Sequence, residues 1–368
     1  MDVSETEAGG ILTIDLGALV ANWRSLRARA APAECAAVIK ADAYGCGIED
    51  VAPALAKAGC DTFFVAHLSE ARRARAAARN ATIYVLNGLL PGTAPAYAEA
   101  NLQPAIGSRA ELEEWTAFRA ASGWRGSAAL HFDTGMSRLG FAHEEAAQVA
   151  SSLRGEPGIA LVMSHFACSE EVHPLNDIQI ERFKAVRAAF PGIPGSLSNS
   201  SGIFLGPGAH HDLVRPGVAL YGANPTPGKP NPMQPVVFLG GRIVQTREIP
   251  QGATVGYSAT WTAERQTRLA LVSVGYADGF LRAASATDAR PGAEAIIAGR
   301  RSPLAGRVSM DLIAFDVTDV PEPEVHRGDL ATLLGREISV DDLATRAGTI
   351  GYEVLTSLGR RYRRIYRR

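Results

Sequence analysis

Over its first two thirds, this chain alternates short apolar runs with alanine-rich segments of helical period, and that alternation most limits what it can fold into. The runs lie at 34–40, 62–67, 82–88, 102–107, 127–133, 159–166, 194–199 and 212–217. Between them are stretches such as SEARRARAAARN, SRAELEEWTAFRAA and DIQIERFKAVRAAF, with apolar residues at helical spacing and Ser or Asp at the expected N-caps. A helix is expected at about 17–29, before the first run. Eight strands alternating with helices fit a (β/α)8 TIM-type barrel or an open doubly wound sheet. The barrel is favoured, because no G-x-G-x-x-G fingerprint follows the first strand.

The pattern changes near residue 225, at the Pro/Gly/Asn-rich segment NPTPGKPNPMQP. Beyond it come short β-rich runs broken by Gly, Pro and Asp, with no long helix until about 340–358. The expected division is a barrel at 12–240 and a C-terminal, mostly-β domain at 241–368, with residues 1–11 free to join the second. The opening ILTIDL (11–16) lies too far from the barrel strands to be one of them, and is expected to pair with the β domain. The terminal RRYRRIYRR reads as a last strand with one buried face rather than a nucleic-acid patch.

Composition removes several function classes. The 368 residues carry 37 basic and 38 acidic groups, so no global field draws nucleic acid or a membrane surface. The four cysteines form no C-x-x-C pair and no disulfide framework. The N-terminus lacks a basic segment followed by an apolar one, and no apolar run nears the ~18 residues of a spanning helix. A cytoplasmic protein is the expectation.

The polar residues that end the apolar runs carry the chemistry. Lys40 ends AAVIK, and strand position alone favours a snorkelling lysine. Other strand ends change that balance. Arg138 follows strand five, His165 ends strand six, Asn199 and Ser200 end strand seven, and Arg215 lies on strand eight before Gly217 and Val218. In a parallel barrel all of these converge on one mouth, where an anion with several acceptors is suited. The loops after strands seven and eight are the usual place for phosphate. A desolvated lysine there can form an imine with an aldehyde.

AVIKADAYGCG (37–47), DTGMSRLGF (133–141), SHFA (164–167), SNSSG (198–202), VRPGVALYG (214–222), GYSATW (256–261), SVGYADG (273–279), GRVSMD (306–311) and GYEVLTSLGRRYRRIY (351–366) resemble, in order, the motifs of the alanine racemases. The resemblance runs from about residue 11 to 368. It implies a barrel plus a β domain, a homodimer with shared sites, and pyridoxal 5'-phosphate (PLP) as cofactor. Alanine is the implied substrate, with serine or a broader range left open, and D-alanine for peptidoglycan the implied product.

It further implies that Lys40 carries the cofactor as a Schiff base and is one base, with Tyr257 of the partner subunit the other. Arg215 would face the pyridine nitrogen, with His165 hydrogen-bonded toward it and supporting Tyr257. Tyr44, Asn199, Ser200, Tyr352 and the main chain at Gly217 and Val218 would hold the cofactor and its phosphate. Arg138 and Met310 would bind the substrate carboxylate, and Asp311 would shape the entrance. No metal is implied.

Three positions depart from the family pattern, of which Ser309, before Met310, is a small polar variant not expected to affect the chemistry. Many members have a carbamylated lysine where His131 stands, so Arg138 is expected to be placed by other hydrogen bonds or a bound anion, and activity to be independent of bicarbonate. Cys46 replaces a frequent His and is expected to be a packed small residue. A PLP-homeostasis barrel would lack residues 225–368, a PLP decarboxylase would place an acid at Arg215, and a metal-dependent hydrolase would need more than His165 and His210–His211.

Overall fold

All eight apolar runs form parallel strands, and in the computed structural model, which describes residues 4–153 and 158–368, they close into a ring. Strand one is broken. Its first part, Glu34–Cys35, pairs with strand eight, Leu213–Val214, and its second, Ala37–Val38, pairs with strand two, Thr62–Val65. Across the break the Ala36 amide still donates to the Val214 carbonyl at 3.0 Å. The ring continues through Thr82–Val85, Gln103–Ile106, Ala128–Asp133 and Ile159–Met163 to Gly195–Ser196. It closes where Asp212 N donates to Gly195 O at 3.0 Å and Arg215 N to Ser198 O at 2.9 Å. A barrel, not an open sheet, is therefore the architecture. Thr62–Val65 is buried at every position, as a strand inside a shell of helices requires.

The helix before the barrel spans Leu16–Ala30 and is capped by Asp15, whose Oδ1 accepts from Ala18 N at 2.8 Å. Leu19, Trp23, Leu26 and Ala30 make its buried stripe, and Trp23 Nε1 donates to the Cys35 carbonyl at 3.1 Å, tying it to strand one. Two helices start elsewhere than at the expected Ser or Asp. Ser108 does cap Arg109–Ser122, accepting from Glu111 N at 3.3 Å. The SEARR stretch instead starts at Leu68 behind His67, where the Glu70 carboxylate accepts from the Ala66 and His67 amides at 2.9 and 3.3 Å. The DIQIERF stretch starts at Pro174 behind His173, whose Nδ1 accepts from Leu175 N at 3.1 Å. A proline's fixed φ suits a first helical turn, so Pro174 outcompetes Asp177 as the starting point.

The remainder is built on one long strand, Val237–Ile249. It pairs antiparallel with Gly10–Asp15, Leu330–Leu334 and Thr267–Val272. Gly10–Asp15 lies between it and the parallel last strand, Arg363–Arg367. The opening run thus joins the β layer, as its position in the sequence required. The last strand is half-buried, and Tyr362 just before it is buried. Residue 240 lies inside Val237–Ile249, so a division at 240/241 would cut a continuous strand. Two helices, Val340–Ala347 and Gly351–Ser357, fill the expected 340–358 stretch. Among the described residues no helix is long and apolar enough to cross a membrane. All four cysteines are free, and Cys46 is buried.

Candidate active site

A cavity of about 440 Å³ opens at the C-terminal ends of the barrel strands. Lys40, Tyr44, Arg138, His165, Asn199, Ser200, Arg215, Gly217, Val218 and Tyr352 all line it. Ten residues far apart in sequence thus share one mouth. Tyr257 and Met310 do not line it: they lie on the β domain, 70% and 52% exposed. The Tyr257 turn packs on the Met310 segment, since a Cβ on Gly256 would lie 3.2 Å from Arg307 N. The cavity also has walls that strand-end reasoning missed, among them Met163, Glu170 and Ile350. Ile350 precedes a helix in the second domain, and only the tertiary fold brings it there.

Lys40 does not end a strand, as expected, but begins a tight turn, Lys40–Tyr44. Ala41, Asp42, Ala43 and Tyr44 all have φ between 53° and 56°, one turn of left-handed helix. Left-handed backbone is costly for residues with a Cβ, so surrounding structure must impose it. The Asp42 amide donates to Glu70 Oε1 at 3.3 Å, and Asp42 Oδ1 accepts from Ile48 N at 3.2 Å and Arg73 Nη2 at 2.5 Å. Gly45, at φ 77°, ends the turn against the Leu355 carbonyl, which a Cβ there would approach to 2.4 Å. Burial lowers the ionisation of the Lys40 amine, the Arg138 guanidinium lowers it further, and Glu70 resists. A half-buried amine so placed is poised to lose its proton and act as nucleophile or base.

Arg215 forms the cavity floor. Its Nη2 donates to Ser164 O at 2.6 Å and Leu197 O at 3.4 Å, its Nη1 donates to Ser196 Oγ, and its guanidinium lies 5.8 Å from the Phe64 ring centroid. No carboxylate pairs with it among the described residues. Burial lowers its pKa to about 9, which leaves it protonated at neutral pH. Its Nη2 lies 3.3 Å from His165 Nδ1, which must accept because an arginine has no lone pair to offer. The His165 proton is accordingly assigned to Nε2. Burial, then Arg215 and Arg138, hold His165 well below the usual imidazole range, so it is neutral. His131, also on the cavity, is lowered to about 4 by burial and the same two arginines.

Ser200 lies at the other end of the cavity. Its Oγ accepts from the Gly217 and Ala219 amides at 2.9 and 3.2 Å, which leaves its own O–H to donate. The Tyr44 hydroxyl sits 2.3 Å from where a Gly217 Cβ would be, so only glycine lets it approach that main chain. Tyr44 stacks on Tyr221 at 4.6 Å and leans on Tyr352 at 6.1 Å. Burial raises both the Tyr44 and the Tyr352 phenols, which keeps them as donors. Hydroxyl donors, a buried arginine and a depressed lysine fit a ring compound that bears a phosphate and an aldehyde. The volume suits one as well. Asn199, which also lines the cavity, accepts at Oδ1 from Ser169 Oγ and Gly202 N, both at 2.8 Å, and so fixes the loop that carries Ser200.

Arg138 has no hydrogen-bond partner among the described residues. Its loop is held instead by Asp133 Oδ1, which accepts from the amides of Gly135, Met136 and Ser137 at 2.9, 2.9 and 3.1 Å. Burial works against the Asp133 charge, but these amides outweigh it and the carboxyl stays below its usual range.

Residues 14–225 match the family described as alanine racemase, N-terminal domain, and residues 236–366 match alanine racemase, C-terminal domain. The chain is 56% identical over 360 residues to the alanine racemase of Methylobacterium sp. (strain 4-46), covering 97% of this chain and 98% of that one. It is 50% identical to the catabolic alanine racemase of Mesorhizobium japonicum, over 99% and 95% of the two chains. A crystal structure of alanine racemase from Bartonella henselae with covalently bound pyridoxal phosphate superposes with a TM-score of 0.91 at 39% identity, covering 98% of this chain and 99% of that one.

Proposed function

Since this chain belongs to the alanine racemase family, we propose that it interconverts L- and D-alanine with PLP held at Lys40. The observation that carries the reading is the cavity itself: a half-buried, depressed lysine faces an arginine with no carboxylate partner among the described residues, and a hydroxyl-and-amide cradle lies beyond them. Ser200, Tyr44, Tyr352 and the Gly217–Val218 main chain hold the phosphate, and Asn199 sets the Ser200 loop. Bound PLP withdraws electrons from the substrate and makes its Cα–H acidic.

Lys40 takes or gives the Cα proton on one face, and burial readies its amine for the neutral form this needs. Tyr257 of the partner subunit serves the opposite face, so a proton leaves one side and another returns on the other. Arg215, still protonated, would donate to the cofactor's ring nitrogen without transferring a proton, and His165 fixes its guanidinium. That moderates the electron sink and disfavours side reactions. Arg138, together with Met310 of the partner subunit, receives the substrate carboxylate, with Asp311 at the entrance. Arg138 itself is placed by a bound anion.

That Tyr257 and Met310 lie outside their own chain's cavity supports a homodimer with two shared sites. The cytoplasm is the compartment, and D-alanine for peptidoglycan the product's use.

Borohydride is expected to fix reduced PLP on Lys40, and Lys40→Ala to abolish the adduct. L-Alanine in deuterated water is expected to give Cα-labelled D-alanine. Label exchange without the enantiomer, or release of CO2, would reject the reading, and serine turned over as fast as alanine would widen it.

A further inference from the structure

We propose that Arg364 and Tyr366 are positioning residues for Lys40, holding from the second domain the left-handed turn that follows it. The inference rests on the reading of Lys40 as the cofactor lysine.

The turn is gripped on two sides. On the barrel side Glu70 takes the Asp42 amide, and Arg73 and the Ile48 amide take its carboxylate. On the other side the chain leaves the turn through the Gly45 and Cys46 carbonyls, which face the C-terminal strand. Arg364 Nη1 donates to Gly45 O, while Nη2 donates to Gly359 O at 3.1 Å and Leu358 O at 3.4 Å. The Tyr366 hydroxyl donates to Cys46 O at 2.9 Å. It sits 2.4 Å from where a Gly47 Cβ would be, so the turn closes directly onto it.

These two side chains are not surface arginine and tyrosine that happen to reach inward. Arg364 pairs with Leu12 and Tyr366 with Ile14 in the parallel ladder, so both point to one face of the strand. The ladder gives them a rigid base, because Gly10–Asp15 is itself paired on its other edge with Val237–Ile249. Four consecutive left-handed residues do not hold that shape unaided. With the C-terminal grip removed, the turn relaxes and the Lys40 amine leaves its reactive position.

The test compares Arg364→Ala, Arg364→Lys and Tyr366→Phe with Arg367→Ala, whose side chain is exposed on the same strand. In cofactor-free protein, amide hydrogen exchange at residues 41–47 is expected to accelerate in Arg364→Ala and Tyr366→Phe and to stay unchanged in Arg367→Ala. In the holoenzyme, kcat is expected to fall about 10- to 100-fold in Arg364→Ala with KM for L-alanine nearly constant. Arg364→Lys recovers part of that loss. Wild-type exchange at 41–47 in both variants overturns the proposal, and so does acceleration spread evenly over the barrel. If Arg364→Ala does not fold, Tyr366→Phe, which removes one hydroxyl, decides. If borohydride fails to mark Lys40 in the wild type, the proposed function falls, while exchange at 41–47 still judges the grip.

Discussion

His131 shows what a single side chain does to this site. It is 7% exposed and hemmed by Arg215 and Arg138, and its pKa is lowered to about 4. In the unfolded chain an ordinary histidine titrates near 6.5. The unfolded state therefore takes up the proton first as pH falls. The contribution of His131 to stability is complete above pH 6.5 and is lost between 6.5 and about 4. At about 1.4 kcal/mol per pH unit, His131 accounts for a loss of about 3 kcal/mol across that window. Denaturant unfolding at a series of pH values is expected to show a shallower decline for His131→Gln than for the wild type. Identical slopes would mean that His131 is protonated in the folded protein. At this scale the sequence was most readable where a charged or polar residue interrupts an apolar run. Lys40, His165 and Arg215 stood out because burying them without a use is costly. Glu70 and Arg73, which hold the lysine turn, did not, because a charged residue on a surface helix is ordinary.

Elements were legible in kind and less so in detail. Continuous apolar runs marked the barrel strands and helical periodicity most helices, since the hydrophobic pattern is set by which faces are buried. The left-handed turn after Lys40 left no such mark. Ala-Asp-Ala-Tyr has no local preference for that conformation, and only long-range contacts impose it. The short helical turn Val218–Tyr221 that follows strand eight is different, because Gly217 announces a close approach. Its missing side chain lets the Tyr44 hydroxyl reach the Ser200–Gly217 cradle. Gly217→Ala would put a Cβ 2.3 Å from that oxygen and force the phenol away. Losing one hydrogen bond to a charged phosphate costs about 1.5–3 kcal/mol, so PLP affinity is expected to fall about 10- to 100-fold. Absorbance titration of cofactor-free protein measures it. An unchanged affinity would remove Tyr44 from the phosphate site.

For the whole molecule, the proposed second base and carboxylate contact stand apart from the cavity they would serve. Ten of the residues named for the site line the cavity, while Tyr257 and Met310 sit exposed on the β domain of the same chain. The sequence carried no geometric sign of this division. Tyr257 was singled out through a family motif, because an aromatic residue on a loop says nothing about which site it serves. A proton base must lie within hydrogen-bond reach of the atom it serves. Tyr257 can meet that demand only if a second copy presents it. In the proposed homodimer, two-fold symmetry would give two sites, each with Lys40 from one subunit and Tyr257 from the other. Lys40→Ala and Tyr257→Phe are each expected to be nearly inactive as homodimers. A mixed dimer places both lesions in one site and leaves the second intact. Random reassortment of equal amounts makes about half the dimers mixed, each with one working site, so activity is expected to recover to about a quarter of wild type. The same mixture without subunit exchange stays inactive. If exchange, verified by mass spectrometry of the mixed dimer, brings no recovery, Tyr257 does not act across the interface and the second base lies elsewhere.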